Sequence, residues 1–260
     1  MNIVVLIKQV PDTWSERTLS DADKTLDRAS SDAVLDEINE RAVEEALKIK
    51  EAGDAEVTVL TVGPDRATDA IRKALSMGAD KAVHVNDEAI HGSDAVTTAK
   101  ILAKAIGTVD DVQLVLAGNE ATDGRSGAMA GMLGEVLGWP SLTHANALTV
   151  ENGTASVKRE TDEGTCDVTA SLPAVVSVGE KINEPRYPSF KGIMAAKKKP
   201  VSAIGIADLG LDAGEVGLAG SLVQVDSFAP RPPKSGGQKV EDEGDGGAKI
   251  AEFLVGQKLI

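Results

Sequence analysis

Apolar and polar positions alternate along this chain in blocks of two periods. Residues 2–7 (Asn2-Ile3-Val4-Val5-Leu6-Ile7) form an almost unbroken apolar run, as in a strand covered on both faces. Residues 37–52 then place Ile38, Ala42, Ala46 and Ile49 on one helical face, with Glu44, Glu45, Lys48 and Lys50 outside and Gly53 as the stop. A second buried strand is predicted over 56–62. Gly63-Pro64-Asp65 opens a helix that runs to about Met77 and ends at Gly78. A short strand at 82–85 precedes a helix over 93–106, opened by Ser93 or Asp94. A buried strand at 112–117 precedes a helix over 125–137. Parallel strands need helical crossovers, so this alternation predicts an α/β fold with a doubly wound, mostly parallel sheet. No internal repeat is evident.

After Pro140 the pattern changes. Residues 155–160 and 165–172 alternate as paired strands around the polar turn Thr161-Asp162-Glu163-Gly164, a small antiparallel addition. A strand at 174–178 and a short basic helix at 189–198 follow. From residue 202 no strongly periodic segment appears until 248–255, while Pro230-Arg231-Pro232-Pro233 and Ser235-Gly236-Gly237 mark an extended tail. The expected organisation is an α/β domain over 1–200 and a C-terminal arm over 201–260. Such an arm is too long for a loop within a compact domain, so it is expected to lie along another subunit.

Composition narrows the function. Asp and Glu number 41 against 27 Lys and Arg, a net charge of −14 over 260 residues. That balance excludes a nucleic-acid binder, which needs a basic face, and docking on an anionic membrane surface. One cysteine, Cys166, excludes an internal disulfide and a four-cysteine metal site. No apolar run nears the roughly 20 residues that span a bilayer, so a cytoplasmic protein is expected.

Candidate chemistry gathers after the strands. The segment from Gly118 to Ala128 follows a buried strand and opens a helix, at the carboxyl end of the sheet where open α/β folds bind ligands. Asp123, Gly124, Arg125, Ser126, Gly127 and Ala128 are small or polar, and their backbone N–H groups suit a phosphate at a helix N-terminus. The alternative is an ordinary glycine turn with Asp123 as helix cap. Lys8, Gln9 and Val10 after the first strand, and Gly63 after the second, could converge on the same ligand. Asp36 and Asn39 would add polar contacts, or serve only as caps. His84, His91 and His144 lie on separate segments, Cys166 has no companion histidine, and no nucleophile elbow or metal-ligand spacing occurs. A nucleotide binder without catalytic or metal residues is expected, not an enzyme. Pro185, Arg186, Tyr187, Phe190, Ile193 and Met194 cluster aromatic and aliphatic side chains between prolines, in a chain with one Tyr and three Phe. They form either a protein-docking anchor or a satellite core.

These residues together resemble the β subunit of electron-transfer flavoprotein. The resemblance rests on Asn183-Glu184-Pro185-Arg186-Tyr187 through Lys197-Lys198-Lys199, on Ala42-Val43-Glu44-Glu45-Ala46-Leu47, on Lys73-Ala74-Leu75-Ser76-Met77-Gly78-Ala79-Asp80 and on the opening Val4 to Pro11. It covers nearly the whole chain. It implies a Rossmann-like, adenine-nucleotide-binding fold and a heterodimer with an FAD-carrying α subunit. That complex would pass electrons from flavin dehydrogenases towards a membrane quinone reductase. The β-subunit pocket would hold a structural AMP or, in the bifurcating branch, a second FAD. The family's pocket maps onto Lys8 to Val10, Asp36 to Asn39, Gly63 and Asp123 to Ala128. Its recognition loop maps onto Asn183 to Met194, with Phe190 where many members carry an aliphatic anchor. Many bifurcating members read Asp-Gly-Asp-Thr-Ala-Gln in the phosphate loop, and this chain departs from it after Gly124. A stand-alone adenylate-binding sensor is the alternative from a different class.

Overall fold

The opening apolar run becomes β1 (Asn2–Leu6), and the chain continues through β2 (Gln9–Pro11), a long excursion, and β3 (Ala33–Leu35). There follow α1 (Glu37–Ala52), β4 (Glu56–Val62), α2 (Thr68–Met77), β5 (Lys81–Val85), α3 (Ala95–Ile106), β6 (Val112–Gly118) and α4 (Met129–Leu137). The second half adds β7 (Ser141–Ala145), β8 (Ala147–Glu151), β9 (Thr154–Thr161), β10 (Gly164–Ser171), β11 (Ala174–Val178), α5 (Phe190–Ala196) and β12 (Val201–Ile204). Two short helices, α6 (Gly217–Gly220) and α7 (Gly246–Gly256), complete the chain. The computed structural model describes residues 1–260 except Lys234, Ser235 and Gln238, so the expected tail position Ser235 lies outside the described residues.

Seven strands form one sheet in the order β12-β5-β4-β1-β6-β11-β7, and every neighbouring pair is parallel. The chain winds from β1 out through β4, β5 and finally β12 on one side and crosses to β6 on the other, where β11 inserts between β6 and the edge strand β7, which is the doubly wound topology expected of the β–α alternation. The two-residue period of β1 divides the core: Ile3, Val5 and Ile7 face the side of α1 and α2, while Val4 and Leu6 face that of α3 and α4. A separate three-stranded antiparallel sheet, β10-β9-β8, is larger than the expected pair by one strand.

Three expectations need correction. The fourth helix begins at Met129, not at Arg125, because Arg125 (φ 49°) and Gly127 (φ 64°) occupy the left-handed region and cannot continue a right-handed helix. Residues 201–204 are a strand, parallel to β5, and Ile206, Leu209 and Val216 behind it are buried in the core. The first compact unit therefore runs Met1–Asp226, past the expected boundary at 200/201. The second unit, Ser227–Ile260, contains α7, whose Ile250, Phe253 and Val255 are exposed.

Each edge strand of the large sheet is preceded by a proline. Pro140 leads into β7 and gives its carbonyl to Val175 N at 2.9 Å, and Pro200 leads into β12 and gives its carbonyl to Ala82 N at 3.0 Å. No described helix is long and apolar enough to cross a membrane.

Candidate functional site

The carboxyl ends of β1, β4 and β6 meet at one place, and side chains tie them together. Asp36 caps α1: its Oδ1 accepts from Ile38 N at 2.9 Å. Its Oδ2 accepts from both the backbone N–H and the hydroxyl of Thr122, at 2.7 and 2.9 Å. One buried carboxylate thus fixes the start of α1 to the loop after β6. Asn39, one turn on, accepts from Lys8 N through Oδ1 at 2.8 Å, and its Nδ2 lies where a Cβ on Gly118 would be 2.7 Å away. Only glycine allows that approach. Gln9 reaches across to the carbonyl of Arg66 at 2.7 Å, joining the ends of β1 and β4. His84 Nε2 lies 2.9 Å from the Gly63 carbonyl, which can only accept, so this nitrogen carries the proton.

The three strand ends therefore converge, while the side chains of Asp36 and Asn39 are turned inward and hold the loops in register. Val10 is likewise buried, in β2. At the mouth, Asp123 is shared by two cations. Lys8 Nζ donates to Oδ1 at 2.7 Å, and Arg28 donates to Oδ2 from Nη2 at 2.9 Å and from Nε at 3.3 Å. Burial works against the Asp123 carboxylate, yet Lys8 and Arg28 together outweigh it and hold its pKa below the ordinary range. Burial lowers the Lys8 pKa, outweighing the attraction of Asp123, and the Arg28 charge lowers it further. Asp36 also acts on Lys8, so two cations here face two carboxylates.

Beyond Asp123 the backbone turns outward. A Cβ on Gly124 would meet nothing within 4 Å, and Gly124, Arg125 and Ser126 are exposed. Ala128 stands at the N-terminal end of α4 without a side-chain cap, so the first N–H groups of that helix remain available. Arg125 pairs with Glu120 at 3.1 Å. Two clustered cations, free helix N–H groups and an open glycine backbone fit a phosphate group. Arg28 carried no signal in the sequence. It lies 95 residues from Asp123, and only the folded chain brings it there.

The second cluster sits on the opposite side of α1. Arg186 grips that helix: Nε and Nη2 bond the Glu44 carboxylate at 2.8 and 3.0 Å, Nη2 also reaches Glu51 at 3.0 Å, and Nη1 bonds Glu51 as well. Those two carboxylates push its pKa still higher. Asn183 adds bonds to the Arg41 carbonyl at 3.0 Å and Glu45 at 2.9 Å. Arg186 therefore anchors the loop from within. Pro185 is half-buried beside it, whereas Tyr187 is 96% and Phe190 81% exposed, and Ile193 and Met194 are also exposed. None of these four belongs to a satellite core. Helix α5 is capped by Ser189, whose Oγ accepts from Gly192 N at 3.0 Å, and it is clamped to α2 by Arg72 on the Ala196 carbonyl at 2.8 Å. Lys199, from the lysine run, bonds the Leu75 carbonyl at 2.9 Å and that of Ala79, at the carbonyl end of α2. A rigid base thus presents an apolar patch to solvent.

An all-parallel doubly wound sheet, with loops gathered at the carboxyl ends of β1, β4 and β6, defines an α/β protein of the doubly wound class. Comparison with known proteins makes the class specific. Residues 23–209 match the model of the electron transfer flavoprotein domain. The chain is 60% identical over its full length to the electron transfer flavoprotein subunit beta of Mycobacterium tuberculosis, covering 99% of that protein. It is 34% identical to the subunit beta of Megasphaera elsdenii, with both chains fully covered. It is also 36% identical to a protein named Caffeyl-CoA reductase-Etf complex subunit CarD from Acetobacterium woodii, over 92% of each chain. The chain belongs to the electron transfer flavoprotein family.

Proposed function

We propose that this chain is the β subunit of a cytoplasmic heterodimer with an FAD-bearing α subunit, and that it binds an adenine nucleotide and docks a flavin-dependent dehydrogenase. Electrons then pass through the complex towards a membrane quinone reductase. The observation that carries the nucleotide reading is the pair of cations, Lys8 and Arg28, gathered on Asp123 beside an open helix N-terminus. Backbone groups of Lys8 to Val10, Asp36 to Asn39, Gly63 and Asp123 to Ala128 surround the adenylate. It is either a structural AMP or the adenylate half of a second FAD. The chain contributes binding and positioning, and the flavin supplies the redox chemistry. The arm, with the exposed apolar residues of α7, packs on the α subunit. The name of the Acetobacterium relative supports a CoA-ester oxidoreductase as the type of docking partner.

The test is to purify the complex with its native partners, release the small molecules by heat, and count them per β chain. One FAD and one AMP with an α partner are expected of a simple carrier. Two FADs would assign the second flavin to the β-subunit pocket. An adenylate without flavin or partner would overturn the electron-carrier reading in favour of a stand-alone sensor.

Docking has its own test. Phe190→Ala is expected to slow electron acceptance from the dehydrogenase about tenfold or more, the usual weight of an aromatic anchor. Bound flavin should be unchanged. Loss of bound flavin alongside the slowed acceptance would show that Phe190 supports the fold, and unchanged acceptance would show that it does not contact the partner.

A further inference from the structure

The excursion between β2 and β3 crosses the ligand edge of the sheet. Its neck is closed by Asp12 N on the Asp32 carbonyl at 2.9 Å and by the β2–β3 ladder. No residue from 12 to 34 is buried, so it is held by polar ties and not by core packing. Those ties go to three successive strand ends. After β4, Arg66 donates to the carbonyls of Arg28 and Ser31 at 2.6 and 3.1 Å. After β5, His91 pairs with Asp23 at 2.7 Å. After β6, Asp123 holds Arg28. Strands β5, β4, β1 and β6 are neighbours in that order, so residues 12–32 span the carboxyl ends where ligands enter such a sheet. Two cavities, of about 680 and 430 Å³, are lined largely by this same segment. A cover with exposed ties and little packing is suited to local opening.

Arg28 is the element of this cover that reaches the cradle. Its Nε and Nη2 are spent on a single oxygen of Asp123, and Nη1 has no protein partner among the described residues. Lys8 alone would neutralise Asp123, and Arg28 brings a second cation to the same carboxylate. Burial lowers the Lys8 pKa first and Arg28 lowers it further, while Asp123 and Asp36 act against them. A guanidinium offers a planar fork of donors that matches phosphate oxygens, and the Arg28 fork still has Nη1 to give. On a chain of net charge −14, a local concentration of cations is needed to hold an anion at all.

We propose that Arg28 is a phosphate-binding residue of the adenylate site, delivered by residues 12–32 acting as a lid across the strand ends. This assignment rests on the reading that the site takes an adenine nucleotide. Opening the lid would withdraw Arg28 from Asp123 and from the phosphate together, so nucleotide exchange would follow lid opening.

The test uses the purified complex. Exchange of its bound nucleotide is followed with radiolabelled AMP, and adenosine, which lacks the phosphate, serves as the second probe. Arg28→Ala is expected to speed AMP exchange and weaken AMP binding about tenfold or more, the effect of losing one charge-assisted hydrogen-bonded contact. Adenosine binding should stay unchanged, and Arg28→Lys should recover part of the AMP effect by restoring the charge. If the site holds FAD, FAD replaces AMP and adenosine remains the second probe. Equal weakening of AMP and adenosine would reduce Arg28 to a structural tie and overturn the proposal. An unchanged AMP exchange rate in Arg28→Ala would overturn it too. A wild-type complex that holds no adenylate would refute the nucleotide reading beneath it, a result distinguishable before any variant is made.

Discussion

Replacing Asp36 with alanine is expected to destabilise the protein by about 4 kcal/mol, the largest effect of any single polar residue near the site. Loss of the α1 cap accounts for about 1 kcal/mol. The two Thr122 donors, left without an acceptor in a buried setting, add about 3 kcal/mol between them. Total stability of a domain is about 5–15 kcal/mol, so this is a large share. For a chain of this size it corresponds to a fall in Tm of about 10 °C. Asp36→Asn keeps an oxygen for Ile38 N but turns an NH2 group towards the Thr122 N–H, so it should fall between alanine and wild type. Thermal unfolding with and without added AMP would measure both. A Tm within about 2 °C of wild type for Asp36→Ala would show that the loop after β6 does not depend on this carboxylate. Because Thr122 adjoins Asp123, the alanine variant should also lose nucleotide faster.

The second large effect is expected at Gly192, on the first turn of α5. A Cβ built there lies 2.3 Å from the backbone oxygen of Ser76, near the end of α2. That oxygen belongs to a helix whose Ile71 and Leu75 are fully buried, so α2 cannot yield and α5 must move. Gly192→Ala should therefore displace Phe190, Ile193 and Met194 together. Overpacking of this kind costs about 1–3 kcal/mol. The larger consequence is functional: electron acceptance should fall at least as far as in Phe190→Ala, about tenfold or more, with the nucleotide count unchanged. Gly131→Ala in α4 is the control, since a Cβ there meets nothing within 4 Å, and it should be neutral or slightly stabilising. If Gly192→Ala accepts electrons at the wild-type rate, the placement of α5 is not what positions the docking patch.

These two sites differ in how far the sequence disclosed them. Buried parallel strands announce themselves as apolar runs, so β1, β4, β6 and β11 and the helices between them were legible. The four residues of β12 were not: Val201-Ser202-Ala203-Ile204 is too short for a period to register between Pro200 and Gly205. The start of α4 was misplaced because Arg125 gives no warning in sequence that its backbone is left-handed. Asp36 and Asn39 stood out as polar residues at the right end of the sheet. Their inward direction follows from partners 86 and 31 residues away, Thr122 and Lys8, which no local pattern encodes. Arg186 lay within the docking motif, yet its work on Glu44 and Glu51 emerges only when the loop folds back on α1. Exposure of Tyr187 and Phe190 removes the satellite core from the two readings that the sequence leaves open.

The prolines ahead of β7 and β12 bear on the subunit before it meets any partner. An edge strand in an open sheet offers a free ladder to any extended chain, including another copy of itself. Here each edge begins at a residue with no N–H to offer, and the Pro140 and Pro200 carbonyls are already engaged on the inner side. The edges are also short, at five and four residues. At each end of the large sheet, an added strand would therefore find a short ladder with one donor missing at its start.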